Sequence, residues 1–161
     1  MRTIRRRRIT ARGVKPQGVT QYERGGCWLY GSIDPDCGDA FWLILPQLNA
    51  ANMQIFLDEF AKAYPDSFNI LLMDNAGAHT AQSLRIPENI GLLFQPPRCP
   101  ELNPAERVWQ DLRSKLAWQR FAHIEVLEDE LVARLNQYQP ATLQSLAGYP
   151  YLVQAYHAVC L

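Results

Sequence analysis

Four short apolar runs constrain this chain more than any other feature. Residues 27–33 (CWLYGSI), 40–45 (AFWLIL), 68–73 (FNILLM) and 90–95 (IGLLFQ) are each of strand length and bounded by turn formers. Asp34-Pro35-Asp36-Cys37-Gly38-Asp39 joins the first two runs as a β-hairpin. Between the second and third, Met53, Phe56, Leu57, Phe60 and Tyr64 recur on one helical face. Asn49 is the N-cap of that helix and Pro65 its stop. A strand, helix, strand order after a hairpin predicts a right-handed parallel crossover, and with it an α/β domain whose 68–73 run is a buried strand.

Helices follow. In Asn103-Pro104-Ala105-Glu106 a capping residue, a proline at the first helical position and an acid at the third make a strong helix start. Val108, Trp109, Leu112 and Leu116 form its apolar face, and Ile124, Leu127, Leu131, Leu135 and Tyr138 stripe the next helix. Residues 142–159 read as short helices broken at Gly148 and Pro150. A chain of 161 residues can bury one core. No apolar run approaches the roughly 18 residues that span a membrane. The arginine-rich N-terminus has no apolar stretch behind it, so it is not a secretory signal, and a cytoplasmic location without membrane contact is expected. Cys27, Cys37, Cys99 and Cys160 form no C-x-x-C pair and no zinc spacing with His79, His123 or His157; they read as reduced packing thiols.

The net charge of zero is unevenly spread. Residues 1–24 hold Arg2, Arg5, Arg6, Arg7, Arg8, Arg12, Lys15 and Arg24 against Glu23 alone, a net +7, so the remainder carries −7. Such an arm suits a phosphate backbone, where each neutralised phosphate releases counterions, although a solvated tail would look the same.

Two carboxylates carry the chemistry. Asp74 is the first polar residue after the FNILLM strand, and ligands gather beyond the carboxyl ends of parallel strands. Glu106 lies about 100° around its helix from the centre of the apolar arc, at the edge of the buried face. Hard oxygen ligands on separate rigid elements can converge on Mg²⁺ for phosphodiester chemistry. Each residue also has an ordinary reading: Glu106 closes a capping box with Asn103, and Asp74-Asn75 is an Asx turn.

The flanking words decide between these readings. MDNAGAH followed by LLFQPPRCPELNPAERVWQDLRSKL resembles the catalytic core of Asp-Asp-Glu (DDE) transposases, in the bacterial insertion-sequence branch related to the mariner elements. The matching residues are Asp74, Asn75, His79, Pro97, Pro100, Leu102, Asn103, Pro104, Glu106 and Trp109, and the resemblance covers roughly residues 20–120. It implies a ribonuclease-H-like mixed sheet flanked by helices. It also implies a site for two Mg²⁺ or Mn²⁺ ions held by three carboxylates, and DNA, as transposon ends and target, as the partner. By position Asp74 is the second carboxylate and Glu106 the third, both metal ligands. Asn75, His79 and Asn103 would steady them or face DNA, and Arg5, Arg6, Arg7, Arg8 and Arg12 would grip the backbone.

One departure stands out. The family's first Asp lies on a strand before the hairpin, and here Met1–Gln21 contains neither Asp nor Glu. Asp34, Asp36 and Asp39 fall in the hairpin turn, where they cannot replace it. The family's N-terminal helix-turn-helix region is also absent. The expectation is therefore a fragment lacking its first strand, inactive alone. It would come from a truncated gene or from a reading frame fused by frameshifting to an upstream transposase fragment. Its parts would be a basic arm (1–24), a partial catalytic core (25–120) and a C-terminal helical segment of the same domain (121–161). The alternatives are a non-catalytic DNA-binding or homodimerising module, with the 124–138 helix pairing two subunits, and a nuclease of the same fold that is not a transposase.

Overall fold

A computed structural model describes residue 12 and residues 26–74, 83–97, 99, 102–117 and 119–159. The elements run β1 (Trp28–Ile33), β2 (Ala40–Leu45), α1 (Ala50–Ala63), β3 (Asn69–Met73), β4 (Ile90–Phe94), α2 (Ala105–Lys115), α3 (Ile124–Leu135), α4 (Pro140–Ala147) and α5 (Pro150–Val159). The chain is thus α/β, with the predicted hairpin and helices in the predicted order.

β1 and β2 pair antiparallel from Trp28 opposite Leu45 to Ile33 opposite Ala40. Their turn is built by Asp34, whose Oδ1 accepts from the Asp36 and Cys37 backbone N–H groups at 2.8 and 3.3 Å. Gly38 closes the turn in the left-handed region, at φ 75°. A side chain there would be strained and would also strike the Pro140 carbonyl. α4 and α5 clasp the same turn: Gln144 Nε2 donates to the Asp36 carbonyl, and His157 Nε2 lies 2.9 Å from Asp36 Oδ1. Cys37 is exposed in this turn rather than packed in the core.

β3 and β4 pair in parallel, from Asn69 beside Ile90 to Met73 beside Phe94. The parallel partner of β3 is therefore β4. Among the described residues β2 and β3 do not pair, so α1 is not a crossover within one ladder but a bridge between two two-stranded sheets. Its apolar stripe is almost wholly enclosed, with Leu57 at 0%, Met53 at 1%, Phe56 at 4% and Phe60 at 5% exposure. Phe41, Leu43 and Leu45 of the hairpin and Leu71, Met73 and Leu92 of the parallel pair all pack on that cluster. Each such side chain contributes about 1.5–3 kcal/mol by leaving water. Asn49 caps α1 as expected, accepting from Asn52 N–H at 2.8 Å. Asn89 Nδ2 donates to the Ala61 and Tyr64 carbonyls at 3.1 and 2.9 Å, which satisfies the end of α1 and anchors the entry to β4.

The second face of the hairpin is covered too. Leu29, Ile33, Trp42 and Ile44 pack on a core of Val108, Leu112, Leu131, Leu135, Leu143 and Ala147 from α2, α3 and α4. Leu127, Leu131 and Leu135 of α3 pack in this core, whereas Val126 and Val132 on the same helix are exposed. Among the described residues the outer face of the parallel pair has no such cover. Ile70 and Leu93 are 57% and 55% exposed, and Phe68, just before β3, is 67% exposed. The run expected to be a buried strand is covered on one face, where Leu71 and Met73 pack, and exposed at Ile70 on the other. A continuous apolar run hides the period-two alternation that would have revealed this.

Candidate active site

Asp74 directly follows β3 and is exposed. The parallel ladder continues to this point, since Gln95 N–H donates to the Met73 carbonyl at 2.8 Å. Both strands thus end together, and Pro96 and Pro97 stop the ladder by lacking N–H groups. The chain leaves β4 at the sheet end that carries Asp74 and reaches α2 through the loop before Asn103. Asn75 and His79 lie outside the described residues, as do Arg5, Arg6, Arg7 and Arg8; Arg12 is described and exposed.

Glu106 occupies the first turn of α2. Asn103 Oδ1 accepts from Ala105 N–H at 3.0 Å, and the Asn103 carbonyl accepts from Glu106 N–H at 3.1 Å. Pro104 already has helical angles, φ −63° and ψ −27°, so Asn103 does the capping and the assigned start differs by a residue. Glu106 is exposed, further out than the edge of the buried face. Among the described residues its carboxylate takes no hydrogen bond or ion pair, so the capping box is not closed. A negative charge at a helix N-terminus is stabilised there by about 0.3–1 kcal/mol.

One turn beyond Glu106, Trp109 docks α2 on the hairpin. Its ring meets that of Trp42 nearly edge-on, with centroids 5.5 Å apart and planes at 68°. Gly31 is the cross-strand partner of Trp42. A Cβ on Gly31 would enter the Trp42 ring and come within 2.8 Å of Trp109 Cη2, so the contact exists because that side chain is missing. Sequence reasoning placed Trp109 on the apolar face and gave Gly31 no role. The available signal was a glycine in the middle of an otherwise large-residue strand.

The other acids near the hairpin have structural partners. Asp34 holds the turn, Asp36 faces His157, and Asp39 accepts from Tyr64 O–H at 2.7 Å. Burial and then Asp39 push the Tyr64 phenol well above its ordinary value. On α2, Asp111 accepts from Tyr138 O–H at 2.6 Å and pairs with Lys115 at 2.7 Å. Partial burial raises the Asp111 carboxyl, but the bonds from Lys115 and Tyr138 outweigh it and hold the group below the usual carboxylate range. Among the described residues no three His, Cys, Asp or Glu side chains are grouped to hold a metal ion.

Comparison with known proteins fits this geometry. A family model described as DDE superfamily endonuclease matches residues 1–128. The uncharacterized protein y4pE/y4sA of Sinorhizobium fredii (strain NBRC 101917 / NGR234) is 40% identical over 87 residues, covering 53% of this chain and 64% of that protein. The fold resembles the Mos1 transposase paired-end complex with left transposon end, at a TM-score of 0.68 and 21% identity, over 91% of this chain and 47% of that one. It also resembles the Mos1 strand transfer complex, at a TM-score of 0.66 and 21% identity, over 89% of this chain and 46% of that one. The chain therefore spans less than two thirds of the curated relative and about half of each structural neighbour. With its hairpin, parallel pair and flanking helices arranged in a ribonuclease-H-like fold, the chain belongs to the DDE superfamily endonucleases.

Proposed function

We propose that this chain supplies two carboxylates, Asp74 and Glu106, to a metal-dependent site for DNA strand cleavage and strand transfer in the transposition of an insertion sequence. The observation that carries this reading is the Glu106 carboxylate. It is exposed and without a hydrogen-bond partner among the described residues, on the helix reached from the strand end that bears Asp74.

DDE transposases use divalent metal ions. Asp74 and Glu106 fit such an ion in kind, because both offer hard carboxylate oxygens on separate rigid elements. They fall short in number, since Mg²⁺ in a two-ion site needs further oxygen ligands and Met1–Gln21 contains no acid. When bound, the ions would activate a water or a DNA 3′-hydroxyl and stabilise the leaving oxygen. The protein's own part is to hold its ligands in place. β3 and β4 carry Asp74, and Asn103 starts the helix that carries Glu106. Asn75 and His79, which follow Asp74 in the sequence, would steady it or face DNA. Arg5 to Arg8 and Arg12 would track the phosphate backbone, with the division into arm (1–24), core (25–120) and helical segment (121–161) retained. A further acid-bearing strand, in cis or from another polypeptide, would complete the site.

The test is nicking of terminal-repeat DNA in Mg²⁺ or Mn²⁺. The chain alone should nick little. Joined to an upstream strand carrying Asp it should cleave, and Asp74→Asn or Glu106→Gln should abolish that cleavage. Full nicking by the 161-residue chain would sink the two-ligand reading. Cleavage that survives both substitutions would sink the residue assignment.

A further inference from the structure

We infer that Trp109, seated on Gly31 and Trp42, is a positioning residue for Glu106; this rests on the metal-site reading above. The argument starts from what does not hold Glu106. No hydrogen bond or ion pair among the described residues fixes its carboxylate, so its location follows from how α2 is set on the rest of the chain. The body of α2 is held by Val108 and Leu112, 0% and 3% exposed, in the core shared with α3 and α4. Asp111, which accepts from Tyr138 O–H at 2.6 Å, and Arg107, 4.5 Å over the Tyr149 ring, tie α2 to the segments that follow α3 and α4.

Trp109 supplies the contact that sets α2 against the hairpin. It is three residues after Glu106, on the neighbouring turn, and its side chain meets the hairpin at Trp42 and Gly31. The contact is specific in shape. An indole meets an indole nearly edge-on at 5.5 Å, over a glycine whose Cβ would collide with both. A rotation of α2 about its axis would drive the Trp109 ring into β1 or lift it off Trp42. Because a helix is stiff over one turn, the same rotation would carry Glu106 with it. The hairpin, clamped by α1 on one face and by α2–α4 on the other, is a rigid reference for that setting.

Manganese binding tests this without needing the complete active site. Mn²⁺ uptake is followed by water proton relaxation and melting temperature is measured in parallel, for the full chain and for Asp74→Asn, Glu106→Gln, Trp109→Phe, Gly31→Ala and Leu143→Ala. Trp109→Phe keeps an apolar ring but loses the part that reaches Gly31, and Gly31→Ala pushes the two indoles apart. Both should weaken the uptake that depends on Asp74 and Glu106 by about tenfold, the scale seen when a group supporting a metal ligand is lost. Leu143→Ala hollows the core at α4; it should lower the melting temperature at least as far as Trp109→Phe while leaving Mn²⁺ uptake within about twofold. If Asp74→Asn and Glu106→Gln lower uptake and Trp109→Phe does not, the positioning role is wrong and the metal reading stands. Equal losses of uptake in Trp109→Phe and Leu143→Ala would make Trp109 merely structural. Uptake indifferent to Asp74→Asn and Glu106→Gln would overturn the metal reading and this inference together.

Discussion

The hairpin and the parallel pair are made of similar material and live in different surroundings. Each is two strands of mostly apolar residues, and each lays one face on α1. The hairpin has its other face covered by α2, α3 and α4 and its turn clasped by Gln144 and His157. The parallel pair leaves Ile70 and Leu93 in solvent and ends in the exposed Asp74. The contrast teaches a division of labour. The doubly covered unit is the frame on which α2 is set, and the singly covered unit carries an acid at an open end. Open apolar surface of this kind marks either an interaction face or an aggregation liability.

Substitutions can break or sharpen that contrast. The largest effect is expected under both units, at Leu57, which is 0% exposed in the cluster they share. Leu57→Ala should cost about 2–5 kcal/mol in urea unfolding, with both sheets lost in one transition. Two separate transitions would mean that α1 does not couple them.

Next comes the hairpin turn. Gly38→Ala places a side chain at φ 75° and against the Pro140 carbonyl, so a loss of about 1–3 kcal/mol is expected. A neutral result would show that the clasp between the turn and α4 is not tight in solution.

A smaller effect concerns the helices behind the hairpin. Tyr138→Phe removes the 2.6 Å bond to Asp111 and should cost about 1 kcal/mol. The pH dependence has a definite sign. Because Asp111 is held below its ordinary value of 3.8, its contribution is present above that pH and fades as pH falls through the lower folded value. Tyr138 is raised by burial and then by Asp111, so its contribution is present below the ordinary value of 10.0 and fades only at still higher pH. Melting curves should show wild type and Tyr138→Phe converging at the acid end, more weakly so in high salt because the Lys115–Asp111 pair is partly exposed.

The smallest effect should be on the open face. The double change Ile70→Thr and Leu93→Thr should move stability by no more than about 0.5 kcal/mol while raising solubility. A loss of several times that size would mean the face is covered in solution, and the contrast between the two units would fall.

Much of this was legible beforehand because it is local. Strand-length apolar runs and turn chemistry located the hairpin, and Asn49 and Pro65 bounded α1. Asn103 and Pro104 started α2, with Glu106 on its first turn, and Gly148 and Pro150 broke the C-terminal helices. Other features were not legible. Cys37 read as a packing residue and lies exposed in the turn. The 68–73 run read as a buried strand, because an apolar residue looks the same whether or not a helix covers it. Gly31, inside a strand of large residues, marked a close approach but not which groups make it, since Trp42 and Trp109 are far apart in the chain.

The order of strands and helices, the caps of α1 and α2, and the placing of one acid after β3 and another on the first turn of α2 were determined by the sequence alone. Each depends on backbone preferences and side-chain periods acting over a few residues. Which faces are covered, which acids are already engaged and which tryptophan sets α2 on the hairpin were decided only by the tertiary structure. Those outcomes depend on shape and exclusion between segments remote in the chain, and no local pattern encodes them.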